Sequence, residues 1–272
     1  MKKQITPLQK WVLLLTLPIT LWATPALAEL PNGDEIIKRL NARNEGQAVS
    51  RNVLMEMIDK RGKTRTRQTR SYRKYFDDEK RTVIFYLKPR NIKDTAYLTY
   101  DYAAVDRDDD QWLYLPAMRK VRRISAADRG DYFLGTDFTY EDIKKETKVS
   151  AEDYTYRTLG EETIDGHHTY IIEATPINQK IAKELGYSKV KMWVDSEIWI
   201  SRKTDFHDLR GKHLKTTLTL NVQNIQGIWT PLRLEVNNHK SGHQSKFTFS
   251  DIDYNTEISD DLFTERALRR GL

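Results

Sequence analysis

The strongest constraint on the fold is a period-two alternation of apolar and polar residues, which begins after Gly46 and continues through most of the chain. In residues 213–223, for example, Leu214, Leu218 and Leu220 alternate with polar residues. This period sends successive side chains to opposite faces, so it predicts strands with one face turned to water. The predicted strands are 51–59, 64–76, 80–88, 96–102, 111–115, 119–124, 153–159, 168–174, 189–194, 198–204, 213–223, 228–237 and 244–254.

Helical signals are few. Asp34 is a suitable N-cap for a helix over 34–43, and weaker helical patterns occur at Tyr140–Lys145, Ile177–Leu185 and Asp260–Arg269. Many short strands with few helices are typical of an antiparallel sheet in the β-rich α+β class. No repeat, low-complexity tract or linker interrupts the pattern, so residues 29–272 are predicted to form a single domain.

The first 28 residues have the pattern of a secretory signal peptide. Lys2, Lys3 and Lys10 provide positive charge, an apolar stretch follows over 11–22, and Ala26-Leu27-Ala28 fits a cleavage site. The alternative is a membrane anchor, which needs about 20 apolar residues and would be interrupted here by two prolines. The pattern therefore predicts cleavage after Ala28 and a periplasmic protein.

The composition limits the kinds of functional site that the chain can form. The chain has no cysteine, which excludes disulfides, thiolate metal sites and a catalytic thiol. Cleavage would remove three lysines and no acidic residue, and would lower the formal net charge from +6 to +3.

Export argues against a nucleic-acid partner. A basic cluster could instead meet an anionic membrane surface or an acidic protein, or could be an ordinary solvated strand face. The candidate docking residues are Arg119, Lys120, Arg122 and Arg123.

Catalytic and metal-binding patterns are incomplete. Ser71 and Ser188 each begin an S-x-x-K sequence, but the accompanying motifs of serine hydrolases are missing. Asp106, Asp108 and Asp110 match the first positions of a calcium loop that lacks its glycine and its final glutamate. His167-His168 and the pair His239 and His243 have no third ligand nearby. We therefore predict no catalytic residue, no metal and no cofactor.

Two predicted strands are apolar on both sides. In 80–88, Val83 and Phe85 lie on one face, while Ile84 and Tyr86 lie on the other, and residues 112–115 repeat the pattern. One explanation is a sheet covered on both faces, by helices or by a bound apolar ligand. The other is a central strand with singly exposed aromatic residues, which are common on protein surfaces.

Several longer phrases are specific enough to suggest a family. They are Trp112-Leu113-Tyr114-Leu115-Pro116, Arg119-Lys120-Val121-Arg122-Arg123-Ile124, Phe133-Leu134-Gly135-Thr136-Asp137-Phe138-Thr139-Tyr140-Glu141-Asp142, Tyr187-Ser188-Lys189-Val190, Trp193-Val194-Asp195, Gly211-Lys212 and Asp260-Asp261-Leu262-Phe263-Thr264. In this order they resemble the exported family of outer-membrane lipoprotein-sorting proteins, relatives of the periplasmic LolA/LolB-type lipoprotein carriers. The resemblance extends from about Gly33 to Arg270.

The resemblance implies a curved, half-open antiparallel β-barrel whose concave face is apolar, covered by helices and able to hold acyl chains. Strand parity then suggests which residues line that face, and Phe133 and Phe138 flank Gly135 in a loop that could form a lid or plug the barrel end. The predicted lipid-binding residues are Val83, Phe85, Leu87, Trp112, Tyr114, Leu218 and Leu220.

Two functions remain open at this point. The first is a carrier that binds a lipid, or the acyl chains of a lipoprotein, for sorting towards the outer membrane. The second is a non-enzymatic docking module for an envelope transporter of the RND/MMPL type, with which such proteins are often associated. A carrier needs an apolar cavity that opens to solvent, whereas a docking module needs only a filled core and a patterned surface.

Overall fold

The computed structural model describes residues 30–77, 79–103 and 107–272. The predicted signal peptide lies outside these ranges, and so does Asp106 of the incomplete calcium-loop pattern. Within them, a single sheet contains the strands β1 Ala48–Ile58, β2 Thr64–Phe76, β3 Glu79–Lys88, β4 Ala96–Asp101, β5 Asp110–Leu115, β6 Lys120–Arg123, β7 Tyr154–Ile164, β8 His167–Pro176, β9 Lys189–Asp195, β10 Ser201–His207, β11 His213–Ile225, β12 Ile228–Asn238 and β13 His243–Asp253.

Four short helices accompany the sheet: α1 Gly33–Asn41, α2 Tyr140–Lys145, α3 Gln179–Leu185 and α4 Glu265–Arg270. Each begins at a residue whose side chain accepts a hydrogen bond from the first turn. The cap of α1 is Asn32, which accepts from the backbone N–H of Asp34, so the predicted cap was placed two residues too late. At α2, Thr139 and Asp142 form a reciprocal capping box.

All strand pairs are antiparallel, and the order across the sheet is β6-β5-β4-β3-β2-β1-β13-β12-β11-β10-β9-β8-β7. Neighbouring strands are also neighbours in sequence except at β1 and β13, which join the two halves. The edge strands β6 and β7 do not pair, so the sheet is open. The predicted β-rich α+β class, with a half-open antiparallel sheet and a few helices, is confirmed.

This strand order sets the path of residues 124–153, which we call the crossing segment. β6 lies at one edge of the sheet and β7 at the other, so the segment that connects them must pass across one face. It contains α2 and packs its apolar side chains against that face, where α1 also lies. We call this the inner face and the opposite one the outer face.

The register shows which residues belong to each face, because directly paired residues in a sheet point the same way. One inner row runs through Thr219, Leu234, Phe247 and Met55. On the outer face, Val83, Leu98 and Trp112 form another row.

The C-terminal segment explains the strands that are apolar on both sides. After β13 the chain passes over the outer face of β3–β6, where Ile258, Phe263 and Leu268 pack against Val83 and Phe85. The inner side of the same strands is covered by the crossing segment. These strands are therefore buried between two layers of the protein's own chain, and their outer side needs no bound ligand.

Gly130 marks a close approach between the crossing segment and α3. A Cβ at this position would overlap the carbonyl oxygen of Glu184 and lie 2.8 Å from the carbonyl carbon of Leu185. We expect Gly130→Ala to lower the free energy of unfolding by about 1–3 kcal/mol, as overpacking does elsewhere. Urea denaturation measures this, with exposed Ala127→Ser in the same segment as the control. Equal stability of the two variants would contradict the close contact.

Candidate functional site: an amphipathic cavity beneath the crossing segment

A cavity of about 200 Å³ lies between the inner face of the sheet and the crossing segment, and it opens to solvent. Its volume is more than ten times the roughly 10–15 Å³ that one water molecule requires, so it is larger than an ordinary packing defect. Both halves of the sheet contribute apolar side chains to the wall. Examples are Met55, Ile84, Met192, Leu234 and Phe249.

Lys215 and Asp137 fix the crossing segment above the sheet. Lys215 of β11 is fully buried, and its Nζ donates to the Asp137 carbonyl at 3.0 Å and to Asp142 Oδ2 at 2.7 Å. The carboxylate of Asp137 accepts from Asn238 Nδ2 at 3.0 Å and from Ser245 Oγ at 2.7 Å. Three consecutive strands therefore hold the Gly135–Asp142 part of the segment in place.

Phe133 and Phe138 are buried beneath this anchored segment. Phe133 packs edge-on against Tyr97 with the ring centroids 5.0 Å apart, and Phe138 lies 4.4 Å from the ring of Phe247. Phe138 also forms part of the cavity wall, whereas Phe133 belongs to the filled core beside it. The two predicted lid residues thus lie in the cover of the inner face, and a lid movement of either stays a prediction.

One end of the cavity is strongly charged. Glu45, which follows α1, accepts from Arg43 Nη2 at 2.8 Å, from Arg73 Nη1 at 3.0 Å and from the Tyr75 hydroxyl at 2.9 Å. Thr147 of the crossing segment also donates to it at 2.8 Å. We call this end, together with the residues of the next paragraph, the charged pole.

The charged pole contains three further ionic groups. Arg51 of β1 forms an ion pair with Glu146, and its guanidinium lies 4.7 Å above the ring of Phe249. Lys148 approaches Glu45 at 3.7 Å. The pole is therefore composed of side chains from the end of α1, from β1 and β2, and from the crossing segment, which are distant in sequence.

Burial and charge have opposite effects on the pKa of Glu45. Burial alone would raise it, but the nearby positive charges of Arg73, Lys80, Arg43 and Lys148 hold the pKa well below its usual range. The carboxylate is therefore ionised at neutral pH.

This pKa predicts an acid-sensitive fold. Because the pKa of Glu45 is lower in the folded than in the unfolded chain, where it is near 4.5, its ionisation stabilises the fold fully above pH 4.5. That contribution is lost as the pH falls below this value. We expect the unfolding free energy of Glu45→Gln to decrease less between pH 7 and about pH 3.5 than that of the wild type. Urea titrations at both pH values measure it.

The control for this prediction is Glu35→Gln. Glu35 lies on the exposed side of α1, where it pairs only with Arg39 one turn away. Exposed pairs of this kind contribute little to stability, so the control should unfold like the wild type at pH 7. If the unfolding free energies of the wild type and of Glu45→Gln decreased equally between the two pH values, the role of Glu45 in acid sensitivity would be contradicted.

The seven predicted lipid-binding residues lie on the face of the sheet away from this cavity. None of the seven predicted residues lies in the cavity wall among the residues that the structure describes. Val83, Phe85, Trp112 and Tyr114 pack on the outer face beneath the C-terminal segment. Leu87 is exposed there.

Leu218 and Leu220 belong to the outer face as well. The residues that pair in the row of Leu218 are Glu235, Lys246 and Glu56, which is a polar row, and Leu220 pairs with Arg233. A strand that is apolar on both sides does not reveal by its sequence which side faces a cavity. Lipid contact by these seven residues remains untested.

The predicted docking residues lie together. Arg119, Lys120, Arg122 and Arg123 are all exposed at β6, the edge strand beside the start of the crossing segment. Arg123 pairs with Asp110 on the neighbouring strand. Charged side chains on an edge strand also discourage pairing with another chain, so exposure alone does not identify a partner.

The structure does not bring together the residues of the catalytic and metal-binding sequence patterns. Ser71 and Lys74 lie on opposite faces of β2, and Lys74 pairs with Asp260. The Ser188 hydroxyl donates to the carbonyl of Asp208 at 2.6 Å. His239 lies beside His213, with ring centroids 4.3 Å apart, rather than beside His243.

The described part of the chain contains neither a cluster of metal ligands nor a helix suited to cross a membrane. No group of three or more histidine, aspartate or glutamate side chains there could hold a metal ion. No helix in the same residues is long and apolar enough to cross a bilayer.

Apart from Phe138, sequence reasoning missed the residues that form this cavity. Ile84 was noted only as the second apolar side of its strand, and Glu45 was not singled out. A buried Arg in a strand is uncommon, but the sequence shows only its residue type and not its burial. The methionines offer a usable signal, because flexible thioether side chains such as those of Met55 and Met192 suit an adaptable cavity.

Comparison with known proteins gives the family. A family model described as "Uncharacterized protein" matches residues 78–270. No curated protein matches the chain at a significant level. A DUF1329 family protein from Desulfovibrio piger is 29% identical, with coverage of 87% of this chain and 97% of that chain and a TM-score of 0.79.

Two further crystal structures have the same fold. An outer membrane lipoprotein-sorting protein domain from Vibrio parahaemolyticus is 27% identical, with coverage of 88% and 98% and a TM-score of 0.79. A LolA superfamily protein from Nitrosomonas europaea is 22% identical, covers 88% and 100%, and has a TM-score of 0.65, which shows the fold alone. The chain therefore belongs to the family whose model matches residues 78–270, and it shares its fold with DUF1329, outer membrane lipoprotein-sorting and LolA superfamily proteins.

Proposed function

We propose that this protein is an exported periplasmic carrier, which holds a lipid or the acyl chains of a lipoprotein for sorting towards the outer membrane. The observation that carries the proposal is the apolar cavity between the inner face and the crossing segment, which opens to solvent. The apolar wall of an open cavity is exposed to water, which is unfavourable until something apolar covers it.

Hydrophobic transfer provides the affinity. Each CH₂ group of an acyl chain that leaves water contributes about 0.8 kcal/mol. The wall is suited to chains of different shape, because the thioether side chains of Met55 and Met192 are flexible and polarisable. Loading and release make or break no covalent bond, so the function needs no acid–base pair.

The relatives support this assignment. The crystal structure from Vibrio parahaemolyticus is described as an outer membrane lipoprotein-sorting protein domain, and it aligns with most of this chain. Fold similarity does not itself determine function, so the site has to carry the argument. Here the cavity and the family agree, and export to the periplasm would bring the protein to its cargo.

A second candidate is a docking module for an RND/MMPL-type envelope transporter. The observation in its favour is the exposed basic edge at Arg119–Arg123. The two functions make different demands on the cavity. A carrier uses it for cargo, whereas a docking module could leave it filled by its own side chains.

Native mass spectrometry of the mature protein, purified from periplasm without detergent, tests the proposal. We expect a reproducible adduct with the mass of a lipid or lipopeptide, which would also identify the cargo. A protein that is bare after purification, and still bare after incubation with an envelope lipid extract, would overturn the carrier and favour the docking module.

A further inference from the structure

The charged pole contains more positive than negative charge. Arg43, Arg73 and Lys148 share the single carboxylate of Glu45, and Arg51 pairs with Glu146. Four cations therefore face two anions at this end of the cavity. Excess charge of one sign in a poorly solvated site is unfavourable unless a counter-charge is supplied.

The other acidic residues of the wall do not neutralise it, because they pair with cations outside the pole. Asp142 pairs with Lys215 at 2.7 Å, Asp153 with Arg129 at 2.8 Å, and Glu141 with Lys144 at 2.8 Å. The remaining lysine of the wall, Lys145, pairs with Asp101, which Lys80 also approaches. The excess of two positive charges thus stays at Arg43, Arg51, Arg73 and Lys148.

Hydrogen bonding agrees with the charge count. The Nε atoms of Arg43, Arg51 and Arg73 are buried and have no hydrogen-bond partner among the residues that the structure describes. Buried donors are satisfied in most proteins, so these three N–H groups are available to a further acceptor. An oxygen-rich anion would provide acceptors as well as charge, and guanidinium groups match phosphate and carboxylate oxygens well.

We propose that the charged pole binds the negatively charged headgroup of an amphiphile whose acyl chain occupies the apolar part of the cavity. This assignment rests on the proposed carrier function and specifies its ligand as an anionic lipid. The headgroup meets Arg43, Arg51, Arg73 and Lys148, while the chain extends along the inner face towards residues such as Met192 and Leu234.

Lys148 is the residue that best separates this role from a structural one. It forms the longest ion pair of the pole, at 3.7 Å from Glu45, and retains partial contact with solvent. Burial, together with repulsion from Lys80, Arg73 and Arg43, lowers its pKa despite the attraction of Glu45. Its positive charge is therefore unfavourable in this fold, and its removal should not destabilise the protein.

The test compares two ligands that share an acyl chain. Lysophosphatidylglycerol is anionic and lysophosphatidylcholine is zwitterionic, and both are used below the concentration at which they form micelles. Each displaces a fluorescent, uncharged acyl probe from the mature protein. For the wild type we expect at least tenfold tighter binding of the anionic ligand.

Lys148→Gln should lower the affinity for the anionic ligand about tenfold, with the neutral probe and the unfolding free energy unchanged. Lys38→Gln, the same substitution on the exposed side of α1, is the matched control and should bind like the wild type. If the wild type binds both lysolipids equally, or if Lys148→Gln keeps its preference, the headgroup assignment is overturned. Failure of the neutral probe itself to bind would instead overturn the carrier function.

A third arm separates a lipid headgroup from a free anion. Inorganic phosphate is added without lipid, and its binding is measured by calorimetry. Weak binding, at least a hundredfold below that of lysophosphatidylglycerol, is expected if the acyl chain contributes most of the affinity. Phosphate that binds as tightly as the lysolipid would overturn the lipid assignment and identify the pole as a site for the free ion.

Discussion

We expect Leu234→Asp to abolish lipid retention while leaving the protein folded. Leu234 is half-buried in the cavity wall, beside Phe247 of β13 and Thr219 of β11. A carboxylate there must either remain charged against an acyl chain or take up a proton, and both are unfavourable. We estimate a loss of at least about 2–3 kcal/mol in binding, which is a decrease in affinity of roughly 30- to 100-fold. Displacement of a neutral acyl probe measures it.

Leu218→Asp is the matched control for this substitution. Leu218 is also half-buried and lies on the neighbouring strand, but it belongs to the outer row that contains Glu235 and Lys246. The two variants place the same charge on opposite faces of one part of the sheet. Retention of lipid by Leu218→Asp, with loss in Leu234→Asp, is the expected pattern. The reverse pattern would return the binding site to the outer face that strand parity first suggested.

The second large effect is expected at Lys215. Replacement by methionine keeps the length of the side chain but removes the charge between Asp142 and the carbonyl of Asp137. The buried carbonyl then lacks this donor and the carboxylate lacks its counter-ion. Disruption of a buried pair commonly costs about 3–5 kcal/mol, so we expect a decrease of that size in the free energy of unfolding. Urea denaturation monitored by circular dichroism measures the change.

Lys212→Met provides the comparison for Lys215. Lys212 is exposed in the turn just before β11, so it undergoes the same change of charge without leaving a buried partner. The free energy of unfolding of Lys212→Met should stay within about 0.5 kcal/mol of that of the wild type. If Lys215→Met were equally stable, the anchoring of the crossing segment by this lysine would be excluded. Limited proteolysis within residues 124–153 would show whether the loss of stability is local.

The secondary structure was largely predictable because period-two alternation is a local property. Each of the thirteen predicted strands overlaps an observed one, and β2 has the predicted bounds of 64–76. β7 extends beyond its predicted end at 159 to Ile164, and β10 is displaced as a whole, predicted at 198–204 and observed at Ser201–His207. There, a turn that includes Trp199 with positive φ occupies the first predicted residues, and the apolar Ile198 and Ile200 belong to that turn.

The site was predicted less well, for a physical reason. Strand parity divides residues into two sets but does not name the set that faces the cavity, unless one face is clearly polar. At β11 the outer face holds Leu218 and Leu220, and the inner face holds Thr217, Thr219 and the buried Lys215. By composition alone the leucines appear to be the core side. Only the position of the crossing segment shows that the threonines and the lysine lie underneath it.

The charged pole could not be anticipated at all. Its members come from the end of α1, from two strands and from the crossing segment, and each is an ordinary polar residue in its local sequence. Their proximity depends on the pairing of β1 with β2 and on the crossing between the two sheet edges. Long-range contacts of this kind leave no period or motif in one sequence.

The sequence by itself therefore determined the class of structure and, through its longer phrases, the family. Alternation and capping are decided within a few residues, so a single chain reveals them. The tertiary structure alone decided which face is the inner one, where the cavity lies and which charges meet at its end. Those properties depend on the layer that covers each side of the sheet, and that layer comes from segments far along the chain: the crossing segment on the inner face and the C-terminal segment on the outer face.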